Sequence, residues 1–265
     1  MDSLATFKTQ QKKIWSDFAP LAPNTTRPAA RLVKHAGIRA GQRVLDVACG
    51  TGVVAITAAR LGAHVTGLDL TPELLEHARE NSRIAAVEID WHEGDVEQIP
   101  FADGSFDVVV SQFGHIFAPS ADVAIAEMLR VLRSGGTIAF STWPPELFVG
   151  RMFALVGRYL PPPPPGVSPP AQWGDPKAVR QRLGAVDKDV AFDRGRILIP
   201  ALSPRHHREN TERAAPPVIR LIESLTKTDP SKLAEFRCEM EALCAEYFEE
   251  NAVRQGYLMT RATKI

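Results

Sequence analysis

Val44-Leu45-Asp46-Val47-Ala48-Cys49-Gly50-Thr51-Gly52 is the stretch that decides the fold of this chain. It opens in an apolar run, residues 43–47, that reads as a short buried strand, and it closes on two glycines one residue apart. Gly50 and Gly52 permit a sharp turn and let a ligand lie against the backbone with no Cβ in the way. The residues that follow, with Val54, Ala58 and Leu61 on one face, read as a helix. A strand that turns through glycine into a helix gathers the free N–H groups of the first helical turn, and the positive end of the helix dipole, at one spot. An anionic ligand group is favoured there.

The same texture repeats outward. Residues 64–68 read as a second strand ending at Asp69, and Thr71-Pro72 opens the next helix, Thr71 as N-cap and Pro72 in the first helical position. Residues 87–91 read as a third strand followed by Gly94-Asp95, and Val108-Val109-Val110 as a fourth. Residues 121–132 form an amphipathic helix with Ile125, Met128, Leu129 and Leu132 on one face, closed by Gly135-Gly136, and residues 137–141 a fifth strand. Alternating strands and helices imply parallel strands joined by right-handed crossovers. The expected fold is α/β: a Rossmann-like, seven-stranded, mostly parallel sheet with helices on both faces and a helical cap.

Toward the ends the pattern loosens. Residues 4–18 and 26–36 read as helices broken by Pro20 and Pro23. The five prolines 161–165 read as a stiff, extended connector. Residues 190–200 and 256–264 supply the last two strands. The longest helix runs from Asp229-Pro230 to about Glu249, with Leu233, Phe236, Met240, Leu243 and Tyr247 on its apolar stripe. The chain then reads as one domain, 1–265. Its core is about 38–143 plus the strands at about 190–200 and 256–264, and its cap comes from 1–36, 144–160 and 200–250.

Composition narrows the function classes. The 265 residues are 45% hydrophobic and 23% charged, and Lys+Arg and Asp+Glu are both 31. The basic excess of a protein that tracks phosphate backbones is missing, so no nucleic-acid partner is expected. Cys49, Cys238 and Cys244 form no C-x-x-C pair. They suggest neither a metal nor a disulfide framework, and reduced thiols suit the cytoplasm. Residues 1–13 lack a signal-peptide core, and no apolar run approaches the roughly 18 residues of a membrane span. A cytoplasmic protein acting on a small molecule is expected, with monomer and homodimer both open.

Asp46, Asp69 and Asp95 fall at or near the carboxyl ends of successive parallel strands, the edge at which open α/β sheets bind ligands. Asp69 is placed to accept hydrogen bonds from both hydroxyls of a ribose, and Asp95 to meet an adenine amino group. Gly50-x-Gly52-x-x-Ala55 also satisfies the dinucleotide pattern, so a nicotinamide cofactor competes. Asp46 weighs against it: a carboxylate immediately before the loop repels a pyrophosphate and attracts the ammonium of a methionine group.

The chain resembles the class I S-adenosylmethionine-dependent methyltransferases, in the broad methyltransferase type 11/25 group that includes the ubiquinone/menaquinone-biosynthesis enzymes. The resemblance rests on VLDVACGTG (44–52), VTGLDLTPELLEHAR (65–79), GDVEQIPFADGSFDVVVSQFGHIF (94–117) and EMLRVLRSGGTIAFSTW (127–143), in family order and spacing. Ala48 stands where the first glycine is commoner. The resemblance implies S-adenosylmethionine as cofactor and S-adenosylhomocysteine as product. It implies that Asp46 and the backbone of Ala48, Cys49, Gly50 and Gly52 hold the methionine portion. Asp69 would bind the ribose, and Leu70 would lie against the adenine. Asp95 and Val96 would read the adenine edge, and Gln112 would lie near the carboxylate or sulfonium.

Methyl transfer from a sulfonium asks the protein chiefly for proximity and orientation, worth ~7–11 kcal/mol in ideal cases. A base is needed where the nucleophile is a hydroxyl or an acidic carbon. His115, after strand four, is the candidate, because in the resembled families that segment faces the methyl group and the substrate; its other reading is pocket lining or a structural role, bonding a loop carbonyl. Trp15, Phe18, Phe113, Phe117, Trp143 and Phe148 are candidates to line a pocket for an apolar or aromatic, hydroxylated or enolisable substrate. His206-His207 with Arg205 and Arg208 reads as a solvated helix start, or as a grip for an acidic group. No His or acid spacing suggests a metal. Two rival functions remain: a catalytically silent S-adenosylmethionine-binding protein and an NAD-dependent oxidoreductase.

Overall fold

The computed structural model describes residues 3–184 and 189–265; the first two residues of the expected cap lie outside it. The chain opens with α1 (Ser3–Trp15), a 3-10 stretch (Ser16–Thr25) and α2 (Thr26–Ala36). The alternating region follows as β1 (Arg43–Val47), α3 (Val53–Ala59), β2 (His64–Asp69), α4 (Pro72–Ile84), β3 (Asp90–Glu93), β4 (Phe106–Gln112), α5 (Ala121–Val131) and β5 (Leu132–Thr142). The remainder is α6 (Phe148–Tyr159), α7 (Pro176–Leu183), β6 (Ala191–Pro200), α8 (Pro204–Ala214), α9 (Pro216–Thr228), α10 (Pro230–Tyr247), β7 (Phe248–Glu249) and β8 (Ala252–Thr263).

All strands join one sheet in the order β3-β2-β1-β4-β5-β8-β6, with β7 folded onto β8. The strands β1 to β5 pair in parallel, and β8 runs antiparallel between β5 and β6. The strand count is eight rather than seven. The extra strand is the two-residue β7, turned back through Glu250 and Asn251, at φ 49° and 57°. Two consecutive left-handed residues make the tight hairpin turn whose twist suits paired strands.

Side-chain alternation sends the central strands' residues to two cores. Val44, Val65, Val108 and Val110 pack on one face against Leu32 and Val33 of α2 and Val54 and Ala58 of α3. Leu45, Val47, Val109, Ile138 and Phe140 pack on the other, against Ile125 and Met128 of α5 and a large group from α6, α9 and α10. Burial on both faces explains why β1 reads as a near-continuous apolar run. Among the described residues no helix is long and apolar enough to cross a membrane.

Several boundaries differ from expectation. The third strand lies at 90–93 rather than 87–91, because this edge strand is only half-buried and its apolar pattern is a poor guide. Gly135-Gly136 does not end α5; β5 begins at Leu132, directly after the helix. The pair instead absorbs a register shift between Phe106 and Val108, and Gly135 takes φ 72°. The first helix stops at Trp15 and tightens into the 3-10 stretch, and Leu61 lies beyond α3 in solvent.

Candidate active site

The site forms where β1, β2, β3 and β4 end. Past β1 the chain turns through Ala48, Gly50 and Gly52, at φ 52°, 54° and 83°. Ala48 holds the left-handed conformation with a Cβ, at a cost of roughly 1–2 kcal/mol. Asp69 clamps the turn from below: its Oδ2 accepts the Gly50 N–H at 2.7 Å, and its Oδ1 accepts the Thr71 N–H at 2.8 Å. Asp69 thus fixes the turn that enters α4, and the Thr71 side chain makes no capping bond. Burial pushes the Asp69 carboxyl up, against the pull of those two N–H donors.

Asp46 is the most buried acid. Its Oδ2 accepts the Ala55 N–H at 2.9 Å, and its Oδ1 has no partner. Burial pushes this carboxyl up to about 8, with Asp69 adding to the rise and the Ala55 bond opposing it. Asp46 pairs with Val110 across β1 and β4, so Gln112, two residues on, shares its face of the sheet. The Gln112 Nε2 donates to the Thr25 carbonyl at 2.9 Å, leaving its buried Oε1 without a partner. The Cys49 thiol between them is pushed well up by burial and by both acids, and stays protonated.

A cavity of about 490 Å³ opens over these strand ends. Asp46, Ala48, Cys49, Gly50, Asp69, Leu70, Asp95, Val96 and Gln112 line one end. Trp15, Phe18, Phe113, Phe117 and Trp143 stand at its middle. Phe113 sits at φ 63°, rare for a bulky residue, and stacks on Trp143 with ring centroids 4.0 Å apart. The far wall is mostly apolar, from Val149, Met152, Phe153 and Val156 of α6, Ile197 and Ile199 of β6, and the start of α9, with His207, Asn210, Thr211 and Gln255 its polar members.

One wall comes from α1, part of the expected cap, through residues of which only Trp15 is among the expected site residues. Lys8 of α1 bonds Asp95 at 2.6 Å and Glu97 at 2.7 Å, Lys12 pairs with Glu93, and Trp15 packs on Phe117 at 4.3 Å. The signal was present: two lysines four apart on one helix face, opposite acids at alternate positions 93, 95 and 97.

The comparisons with known proteins agree with this geometry. The methyltransferase domain family model matches residues 44–136. A Mycobacterium tuberculosis protein named as uncharacterized is 35% identical over 97% of this chain and 94% of its own length. The demethylmenaquinone methyltransferase of Staphylococcus aureus is 38% identical over 50% of this chain and 56% of its own. The solved YcgJ protein of Bacillus subtilis shares the fold, with a TM-score of 0.58 at 20% identity over 90% of this chain and 99% of that one. The chain belongs to the S-adenosylmethionine-dependent methyltransferases.

Within this methyltransferase, four expectations need correction. His115 does not face the cavity. Gly114 presses on Ala48, where a Cβ would meet the Ala48 carbonyl at 2.5 Å, and the 3-10 turn 115–117 drives His115 into the core. Its ring lies 4.6 Å from Trp173 and 4.9 Å from Phe140, and neither nitrogen has a partner. Burial, then Arg182, pushes its pKa down to about 3. Phe148 is also off the wall, buried against His207 and Tyr247 at 5.5 Å each; its helix turns residues 149, 152, 153 and 156 to the cavity instead.

Gly52 is a packing glycine: a Cβ there would meet the Trp91 ring at 2.5 Å, whereas at Gly50 the nearest atom is a Phe18 carbon at 4.0 Å. Finally, residues 205–208 are a solvated helix start only in part: Arg205 is exposed, whereas His207 and Arg208 are buried. Arg208 is buried in ion pairs with Glu209, Glu212 and Glu241, Arg205 pairs with Glu209, and His207 lines the cavity.

Proposed function

We propose that the protein transfers the methyl group of S-adenosylmethionine to a small apolar or aromatic acceptor bearing a hydroxyl or an enolisable carbon. One observation carries this reading: a single cavity joins the acid-ended strand edge to an apolar wall. The residues present fit the cofactor. The unpartnered Asp46 Oδ1 and Gln112 Oε1 are two buried acceptors suited to the methionine ammonium. The Asp69 carboxyl, fixed by the Gly50 and Thr71 N–H groups, lines the cavity as an acceptor suited to the ribose hydroxyls. Gly50 leaves its surface open, and Leu70, Asp95 and Val96 stand where the adenine is expected. Bound there, the cofactor supplies an electrophilic methyl group; the chain supplies placement and a water-poor wall.

Asp46 also separates this reading from the nicotinamide one. At neutral pH its buried carboxyl holds a proton; a neighbouring cation favours ionisation and a pyrophosphate opposes it. A catalytically silent cofactor-binding protein is the second reading, favoured by the burial of His115 away from the cavity. Calorimetry should give micromolar binding of S-adenosylmethionine and S-adenosylhomocysteine. Binding of NAD with neither of these overturns the proposal. Turnover of any member of a panel of phenols, quinone precursors and carboxylates separates the enzyme from the silent protein.

A further inference from the structure

The far end of the cavity is unusual in its charge. Its charged lining residues among those described are Lys8, Lys12, Asp46, Asp69 and Asp95, and all belong to the strand edge or to α1 above it. The wall built by residues 143–255 contributes no Asp, Glu, Lys or Arg. A carboxylate, phosphate or ammonium placed there has no opposite charge to meet, and an unpaired charge in such a space is strongly disfavoured. Arg208, the cation nearest in sequence, is spent on Glu209, Glu212 and Glu241.

Inside that wall stands one buried imidazole. His207, in the first turns of α8, is 4% exposed and lines the cavity. Its backbone is fixed: its N–H donates to the Ser203 carbonyl at 3.1 Å, and Thr211 Oγ1 donates to its carbonyl at 2.9 Å. Its ring is braced edge-on by Phe148 at 5.5 Å. Yet its ring Nε2 is buried without a hydrogen-bond partner. The adjacent His206 contrasts with it: its Nδ1 accepts the Leu202 N–H at 3.0 Å and its Nε2 meets the Asn210 amide at 3.2 Å. The uncharged wall also carries Asn210, Thr211 and Gln255, but the Asn210 amide meets His206 and the Thr211 hydroxyl donates to the His207 carbonyl. The unsatisfied buried Nε2 costs free energy that a ligand's hydrogen bond returns.

Resting on the methyltransferase reading, we infer that His207 is the substrate-contact residue of this site, and that the acceptor it reads is an uncharged, apolar molecule carrying a hydroxyl. Burial and the neighbouring His206 hold the imidazole neutral at pH 7, so it offers one donor and one acceptor nitrogen. A hydroxyl matches that pair, and a hydrocarbon does not. The braced Phe148–His207 contact fixes the ring, so the position reads geometry as well as polarity.

The probes are 2-naphthol, naphthalene and 2-naphthoate, titrated by calorimetry into protein saturated with S-adenosylhomocysteine. The expected result is that naphthol binds roughly tenfold tighter than naphthalene and that naphthoate binds more weakly than either. His207→Ala should erase the naphthol advantage while leaving naphthalene affinity in place, and His207→Gln, which keeps a donor and an acceptor, should restore most of it. In the wild type, the His207 imidazole nitrogen NMR shift should move with naphthol and stay still with naphthalene. Unchanged S-adenosylhomocysteine affinity in both variants certifies that they fold. Equal binding of naphthol and naphthalene, no binding of naphthol, a tighter naphthoate complex, or an equal loss of both neutral probes in His207→Ala overturns the inference. Failure of the protein to bind S-adenosylhomocysteine at all overturns the methyltransferase reading instead.

Discussion

The two ends of the cavity are built on opposite plans. At the strand edge, the loops after β1, β2 and β3 bring backbone N–H groups and carboxyls together within a few residues of each strand end. Asp69, for instance, reaches Gly50 and Thr71 directly. At the far end, the wall is assembled from side chains of α6 and of the later consecutive elements β6, α8 and α9, which face one another through the packing of the sheet and the helical layer. One end is polar and set by local chain geometry; the other is apolar and set by tertiary packing. The methyltransferase model matches residues 44–136, whereas a relative at 35% identity covers 97% of the chain. In the proposed function the first end takes the common cofactor and the second a particular acceptor.

Four measurements would break or sharpen that contrast. The largest effect is expected in the helical layer. Phe236→Ala, at a fully buried site in α10, should lower unfolding free energy by ~3–5 kcal/mol in chemical denaturation. The protein that remains folded should bind S-adenosylhomocysteine as before, and a parallel loss of affinity would show that the two ends are not independent. Next, Asp69→Ala orphans the Gly50 and Thr71 N–H groups together, with an expected cost of ~2–4 kcal/mol. Here stability and cofactor affinity should fall together, the affinity by at least ~100-fold by calorimetry, given charge-assisted contacts.

Asp46 gives a pH signature. Its folded value of about 8 stands above the ordinary 3.8, so its contribution to the stability of the empty fold is complete below about pH 4 and is lost as pH climbs through 8. A cation bound beside it favours the carboxylate, so binding at pH 7 should expel a proton. S-adenosylhomocysteine affinity should tighten by up to ~tenfold per pH unit below about 8 and then level off. Asp46→Asn should flatten the profile, and a wild-type profile already flat would remove the cation from beside Asp46. The smallest effect is expected at α1. Lys8→Ala breaks partly exposed pairs with Asp95 and Glu97 and should lower stability by about 1 kcal/mol or less, read as a small shift in thermal midpoint.

The strand-edge end was legible because its signals are local. A buried strand, a glycine turn and an acid at each strand tip are adjacent in sequence, and their geometry follows from backbone rules. Even there the reading had limits. Gly52 carries the expected conformation, but its open face is filled by Trp91, a contact from another strand that spacing does not encode. His115 turns into the core because Gly114 packs against Ala48 and a 3-10 turn follows, a close approach that spacing does not encode. The far end was scarcely legible. The cavity face of α6 at 149, 152, 153 and 156 is a helical stripe that periodicity could have isolated, but nothing local says that it faces a void rather than a core. His207 was obscured by its neighbours: among Arg205, His206 and Arg208 it looked like one more charged surface residue, until Arg208 was seen neutralised by three glutamates.

The opening helix has a consequence for the catalytic cycle. It closes its side of the cavity through Lys8, Lys12 and the Trp15–Phe117 contact, all carried on a segment at the chain's start. Ion pairs of this kind weaken as dissolved electrolyte screens them, whereas the sheet beneath is indifferent to it. The residence time of the spent nucleoside should therefore shorten as ionic strength rises, making departure of product, rather than the chemical step, the stage of turnover most open to control by the surrounding medium.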